Sequence, residues 1–125
     1  MYIKRLNECE QIIAGDNCFL RELLNPLKEK IEIRYSLAHA MVKAGEITCK
    51  HSLKTTEVYY ILEGEGEMYI EDEKEKVCQG DAVYIPPDSV QRIKNTGQKD
   101  LVFICVVDPA WKKEDEKVLE EKQRS

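Results

Sequence analysis

Short apolar runs separated by turn residues make up most of the chain. The runs favour β-branched and aromatic residues, and Gly, Asn, Asp and Pro stand between them, which is typical of strands joined by turns. The pattern therefore predicts an all-β sandwich or barrel. The predicted extended segments are residues 18–24, 31–42, 58–62, 68–71, 82–85, 90–94 and 101–107.

The pattern changes at both ends of this array. We expect residues 1–30 to form an N-terminal arm with strands, residues 31–107 to form the barrel core, and residues 108–125 to form a tail. Residues 112–124 are highly charged, and we expect one short C-terminal helix on the surface. Trp111 is expected to cover an open barrel end or a dimer seam. A chain of 125 residues has the length of one domain.

Composition narrows the class of protein. A net charge of −5 provides no basic surface for nucleic acid, and no apolar run approaches the roughly 20 residues that span a bilayer. The N-terminus mixes charged and apolar residues too evenly for a signal peptide, so we expect a cytoplasmic protein. Five cysteines without a CxxC spacing favour reduced thiols over disulfides.

One stretch after the second extended segment has a distinctive spacing. It runs from Gly45 to Gly64 and resembles the first signature of the cupin superfamily, G-x5-H-x-H-x3-E-x6-G. His51 and Glu57 match the first histidine and the glutamate. Leu53 stands at the position of the second histidine. Every spacing agrees, and four of the five fixed residues match.

A second stretch follows after one charged hairpin. It resembles the second cupin signature, G-x5-P-x-G-x2-H-x3-N, again with every spacing kept. Gly80, Pro86 and Asn95 match. Asp88 replaces the glycine, and Gln91 replaces the histidine. Two signatures in the correct order imply the cupin fold, a double-stranded β-helix or jelly-roll barrel.

The resemblance also implies a metal site inside the barrel. In the family, three histidines and one glutamate hold a divalent ion, and their positions here are His51, Leu53, Glu57 and Gln91. Leucine offers no donor atom, so the candidate metal ligands are His51, Glu57 and Gln91. Imidazole and carboxylate suit Zn, Fe, Mn, Ni or Cu, and the set by itself does not select one ion.

Further residues are candidates for the ligand pocket. Alternate strand residues face the same side, so Cys49, His51 and Leu53 share one face and Tyr59 accompanies Glu57. His39 lies in the preceding strand; it either faces the pocket as a replacement ligand or proton shuttle, or lies on the surface. Cys49 is either a zinc thiolate or an apolar filler. His39 and Tyr59 are also the candidate catalytic residues.

These residues leave more than one function open. The first is a cupin that binds a divalent metal, a small oxygenated ligand such as a sugar phosphate or carboxylic acid, or both, with an isomerase-like activity. The alternative is a metal-free binding or sensing module with a degenerate site, and a structural dimer with a vestigial pocket is a third. The expected partners are a small-molecule ligand and a second copy of the chain, without nucleic acid or membrane.

Overall fold

The computed structural model describes residues 1–120, and within them almost all regular structure is β-strand. Two single-turn 3-10 helices occupy Leu6–Glu8 and Lys113–Asp115. No helix within the described part of the chain is long and apolar enough to cross a membrane. The strands are β1 (Ile12–Ile13), β2 (Phe19–Leu24), β3 (Ser36–Val42), β4 (His51–Leu53), β5 (Thr56–Glu63), β6 (Glu65–Ile70), β7 (Glu73–Cys78), β8 (Ala82–Ile85), β9 (Gln91–Asn95), β10 (Leu101–Asp108) and β11 (Glu116–Val118).

The strands form two facing antiparallel sheets. The six-stranded sheet has the order β1-β2-β3-β10-β5-β8, and the five-stranded sheet has the order β11-β4-β9-β6-β7. Side chains alternate across each strand, so every second residue of β5, β9 and β10 points between the sheets. This arrangement confirms the predicted all-β jelly-roll barrel. Its largest fully buried apolar side chains are those of Ile61, Ile85, Ile93, Leu101 and Phe103.

Two turns explain part of the motif. Gly64 joins β5 to β6 with φ +87°, and a Cβ atom there would lie 2.7 Å from the carbonyl oxygen of Asp100, so only glycine fits. Asp88 has φ +64° at the position where the cupin signature has glycine. Aspartate is one of the few residues that adopt this conformation at modest cost, so the turn survives the substitution.

The C-terminal tail differs from the surface helix expected over residues 112–124. The described part contains one 3-10 turn and then strand β11, which pairs with β4 through Glu116–Leu53, Lys117–Ser52 and Val118–His51. The open edge of β4 offers unpaired backbone groups, and pairing with that edge satisfies the tail backbone without a helix. Residues 121–124 of the predicted helix lie outside the described residues.

Candidate functional site

A cavity of about 200 Å³ lies between the two sheets. Its apolar lining includes Leu53, Phe103 and Val107, and its polar lining includes His51, Glu57 and Tyr59. The first strands and the tail close one side, because Ile12–Ile13, Trp111 and Glu116 also border it. Such a mainly apolar cavity with a few polar groups is the usual form of a small-molecule site.

Three buried side chains form a hydrogen-bonded chain beside the cavity. The Tyr59 hydroxyl donates to Oε1 of Gln91 at 2.9 Å, and Nε2 of Gln91 donates to Oε1 of Glu57 at 2.9 Å. Gln91 is 1% exposed and lies behind the cavity wall. The amide therefore fills the space between a phenol and a carboxyl group, and its oxygen and nitrogen both have partners.

His51 lies next to Gln91, since the two are paired across β4 and β9. Its Nδ1 is 2.8 Å from Oε2 of Glu116. Its Nε2 is 3.7 Å from Oδ2 of Asp16, which is too long for a hydrogen bond. Nε2 is buried and has no hydrogen-bond partner among residues 1–120. The ring therefore has one nitrogen held by a carboxylate and one nitrogen unpaired.

The surroundings of His51 favour its charged form. Burial lowers the pKa of the imidazole, but the hydrogen bond with Glu116 and the nearby carboxylates of Asp16 and Glu57 outweigh it and raise the pKa to about 9. His51 is accordingly an imidazolium at neutral pH.

The pKa of Glu57 is also raised, but for a carboxyl group a raised pKa favours the neutral form. Burial raises its pKa, His51 and the hydrogen bond from Gln91 lower it, and Asp16 and Glu116 raise it again, with a net pKa of about 7. Near neutral pH, Glu57 is thus divided between the carboxylic acid and the carboxylate. A protonated carboxyl group can donate a hydrogen bond or a proton to a ligand.

His39 does not line the cavity. It occupies β3 opposite Ile104 and Arg21, on the outer face of the six-stranded sheet, whereas Ser36 and Ala38 on the same strand border the cavity. Partial burial and the charge of Arg21 lower its pKa. The alternation along β3 was predictable, but the face that turns inward is set by how the sheets pack. The structure therefore places His39 outside the predicted pocket.

The predicted pocket residues Cys49, Leu53 and Tyr59 are all buried. Leu53 and Tyr59 border the cavity, but Cys49 does not. The cysteines that do border it are Cys18 and Cys105, and burial raises the pKa of both thiols well above the ordinary value. Both thiols stay protonated at neutral pH and contribute mainly apolar surface.

Asp16 and Glu116 belong to the site, although the sequence did not identify them as site residues. Asp16 lies in the turn Gly15–Asp16–Asn17, where polar residues are ordinary. Glu116 belongs to a charged tail that resembles a solvated surface. Both carboxylates nevertheless border the cavity and contribute to the raised pKa of His51. No local sequence signal distinguishes them from surface residues.

The donor atoms do not fit the metal that the family resemblance implies. Leu53 has no donor, and the oxygen of Gln91 accepts a hydrogen bond from Tyr59 while its amide nitrogen faces Glu57. Within residues 1–120, no group of three or more His, Cys, Asp or Glu side chains is arranged to hold an ion. His51 and Glu57 alone fall short of the three or four ligands that a stable transition-metal site uses.

A two-sheet antiparallel barrel with a buried cavity defines a class of small barrel domains that enclose their ligands. The cupin domain model matches residues 38–107. That range is more than half of the 125 residues. The chain therefore belongs to the cupin family.

Two relatives match most of the length of this chain. An uncharacterised protein from Methanocaldococcus jannaschii is 41% identical over 109 residues, which cover 86% of each chain. A glucose-6-phosphate isomerase from Thermococcus gammatolerans is 32% identical over 97 residues. That match spans 74% of this chain but only 47% of the isomerase.

Solved structures share the fold. A cupin 2 conserved barrel domain protein from Salinispora arenicola has a TM-score of 0.75 at 18% identity, over 91% of both chains. A predicted oxalate decarboxylase from Thermotoga maritima has a TM-score of 0.74 at 26% identity, over 86% of this chain and 99% of the other. Pac13, a nucleoside dehydratase from Streptomyces, has a TM-score of 0.79 at 16% identity, over 98% and 94%. The cupin barrel thus occurs in proteins with several different chemistries.

Proposed function

We propose that this cupin works without a metal and binds a small, uncharged, oxygenated molecule in the cavity between its sheets. The observation that carries the proposal is the chain of hydrogen bonds from Tyr59 through Gln91 to Glu57. Gln91 and Glu57 stand at two family ligand positions, and here they bond to each other. The Gln91 amide is thus the hydrogen-bond partner of the Glu57 carboxyl group, at the place where the family has a metal ion.

The charges around the cavity argue against the sugar phosphate or carboxylic acid considered from the sequence. Asp16, Glu57 and Glu116 surround one cation, His51. Lys28 also borders the cavity, but it is paired with Glu22 at 2.7 Å, and that carboxylate offsets its positive charge. Bringing a phosphate or carboxylate beside Asp16, Glu116 and a partly ionised Glu57 costs free energy in a poorly solvated cavity. A neutral ligand avoids this cost.

The polar groups that remain suit hydroxyl or carbonyl oxygens. The unpaired Nε2 of His51 is a donor when the ring is protonated, and Glu57 can donate or accept according to its protonation. A volume of about 200 Å³ corresponds to several water molecules of roughly 30 Å³ each. Monosaccharides and polyols combine this size with these groups.

The test combines metal analysis with ligand binding on the same untagged protein. We expect substoichiometric metal after purification and no thermal stabilisation by Zn²⁺, Mn²⁺ or Ni²⁺. A panel of neutral sugars and sugar alcohols should contain compounds that raise the melting temperature, while their phosphate esters and acid forms do not. Stoichiometric metal that is lost in His51→Ala, or selective stabilisation by the anions, would overturn the proposal.

A second candidate function is proton-transfer catalysis in the same cavity. The specific observation that favours it is the pKa of about 7 at Glu57, next to an imidazolium. A general acid–base group works best when its pKa is close to the operating pH. The similarity to a sugar phosphate isomerase points to the same class of reaction, although the charges here favour an unphosphorylated substrate.

The catalytic candidate has its own measurement. Neutral sugars incubated with the protein in deuterated water should incorporate deuterium at a carbon next to the carbonyl, and Glu57→Gln should abolish the incorporation. Binding without incorporation in the wild type would leave the binding function and remove the catalytic one.

We also propose a homodimer, with a second copy as the partner. Tyr60 and Tyr84 on the outer face of the six-stranded sheet are 47% and 61% exposed, and Ile12 at the sheet edge is 45% exposed. Exposed aromatic residues on one face are common in protein interfaces. Sedimentation at micromolar concentration should show a dimer that Tyr84→Lys dissociates, and a monomeric wild type would contradict this.

A further inference from the structure

The C-terminal strap, residues 112–120, lies across the edge of β4 and reaches the cavity. The backbone N–H of Lys54 donates to Asp115 at 3.0 Å, and that of Leu119 donates to Lys50 at 2.8 Å. These two bonds flank β4 on both sides. The register of the strap against His51 is therefore determined by backbone hydrogen bonds and not by Glu116 alone.

Glu116 is the residue of β11 that points inward. Its side chain is 11% exposed, whereas its neighbours Lys117 and Val118 are exposed. It reaches Nδ1 of His51 at 2.8 Å. An imidazole ring has two nitrogens, and a bond to one leaves the other for a ligand. Glu116 thus determines that Nε2, and not Nδ1, is the unpaired nitrogen of His51.

A glycine in the N-terminal turn makes room for this carboxylate. A Cβ atom at Gly15 would lie 2.4 Å from Oε1 of Glu116 and 2.8 Å from its carboxyl carbon. The turn around Gly15 and Asp16 and the C-terminal strap therefore meet at His51 from opposite ends of the chain. Since the nearest atoms belong to the flexible end of Glu116, an alanine at position 15 would displace the carboxylate rather than the backbone.

A buried carboxylate in a short edge strand needs a reason. Removing a carboxylate from water is costly unless it is paired, and an apolar residue of similar size would pack there at lower cost. The ion pair with His51 offsets this cost. It also fixes the orientation of an imidazole ring whose backbone is already held in β4. The carboxylate of Glu116 therefore ties the strap to β4 and also acts on the orientation of the His51 ring.

We propose that Glu116 is a positioning residue of the pocket, which holds the His51 ring with its Nδ1–H toward the strap so that Nε2 serves the ligand. The site is then complete only while the strap is docked on β4. This inference deepens the proposed function, because it names the residue that orients the ligand-binding imidazole.

The test uses the ring N–H protons of His51, measured by nuclear magnetic resonance on the full chain without ligand. The chain has 2 histidines, so His39→Asn assigns the signals. In the wild type we expect a downfield Nδ1–H signal that exchanges slowly with water. Glu116→Ala should remove it or make exchange about tenfold faster, as expected for loss of a charge-assisted hydrogen bond. Glu116→Gln, which keeps an acceptor oxygen, should restore it.

Two further variants separate positioning from folding. Gly15→Ala keeps the carboxylate but moves it, and it should reproduce the effect of Glu116→Ala. Lys117→Ala changes an exposed neighbour on the same strand and should leave the signal unchanged. The backbone amide signals of β11 report whether the strap stays docked in each variant.

Two sets of results would overturn the positioning role of Glu116. An unchanged Nδ1–H signal in both Glu116→Ala and Gly15→Ala, with β11 docked, would overturn the positioning role. Undocking of β11 in Glu116→Ala, with Gly15→Ala and Glu116→Gln unchanged from wild type, would reduce Glu116 to a structural residue and would also overturn it. Because these measurements need no ligand, failure of the proposed binding function would be seen separately, as the absence of any stabilising sugar.

Discussion

The two walls of the cavity differ in how they satisfy their polar groups. The strand wall, made of Glu57 and Tyr59 with Gln91 bonded behind them, has hydrogen bonds within itself and contains one group that is neutral or charged according to pH. The terminal wall, made of Asp16 and Glu116, consists of carboxylates that face His51 from segments at the two ends of the chain. The barrel strands therefore hold their polar groups in fixed positions, and the segments near the two chain ends supply negative charge beside His51.

The difference follows from where the residues lie. Strand residues are held by ladders on both sides, so a buried amide can be aligned with a phenol and a carboxyl group. Segments at the edge of a sheet have fewer fixed neighbours, and charged groups suit them because ionic attraction tolerates imperfect alignment. His51 belongs to β4, between these two environments, and is shaped by both.

The largest effect is expected from breaking the strand wall. Gln91→Ala leaves the Tyr59 hydroxyl and the Glu57 carboxyl without their partner and opens a void, which should lower the free energy of unfolding by about 3 kcal/mol. Urea denaturation measures the change. Lys94→Ala, an exposed neighbour on the same strand, is the matched control and should change stability little. A loss below that of the control would mean that the hydrogen-bonded chain does not hold the wall together.

The terminal wall should make the free energy of unfolding depend on pH. The pKa of His51 is raised to about 9 from 6.5 in the folded state. Its contribution to stability is therefore present below pH 6.5 and is lost as the pH rises through 9. Between pH 6.5 and 8.5 the free energy of unfolding should fall by about 2 kcal/mol. Glu57, raised to about 7 from 4.5, adds a smaller change of the same sign.

Denaturation at several pH values measures this slope, and Asp16→Asn should reduce it, since one of the carboxylates that raise the His51 pKa is neutralised. A ring titration supplies the direct check: His51 should titrate near pH 9, and His39 below its ordinary 6.5, because burial and Arg21 lower its pKa. Stability that is constant or rising over this pH range would contradict the terminal wall as described.

The smallest effect compares two adjacent tyrosines of β5. Tyr59→Phe removes the hydroxyl that donates to Gln91, and about 1 kcal/mol should be lost. Tyr60→Phe changes a residue that is 47% exposed on the opposite face and should have almost no effect. Equal effects of the two substitutions would indicate that the Tyr59 hydroxyl contributes nothing to the strand wall.

Much of the strand wall was predictable because strand periodicity is local. The spacing from His51 to Glu57, together with the Gly64 turn, predicts which side chains share a face, and the structure brings His51 beside Gln91 and Gln91 to Glu57. The bond from Tyr59 to Gln91 joins residues 32 positions apart. Its partners were candidates individually, but their contact depends on the sheet.

Prediction was weaker where the same alternation allows two outcomes. His39 alternates correctly with its neighbours, yet only the packing of the two sheets decided that its face of β3 points outward. The tail was expected to form a helix because its charges suit a solvated surface, but an open edge of β4 was available to it. The sequence pattern of a segment does not show which open strand edge is available to pair with it.

From the chain alone follow the strands, their turns and the cupin signatures, because periods of two residues and the backbone freedom of Gly or Asp are local properties. Only the tertiary structure decided that Asp16 and Glu116, 100 positions apart in the sequence, both face His51. The physical reason is that charge and protonation depend on every group within a few ångströms, whichever part of the chain supplies it. The strands that frame the pocket are therefore encoded by the local sequence, whereas the charge and protonation of its side chains depend on contacts between distant segments.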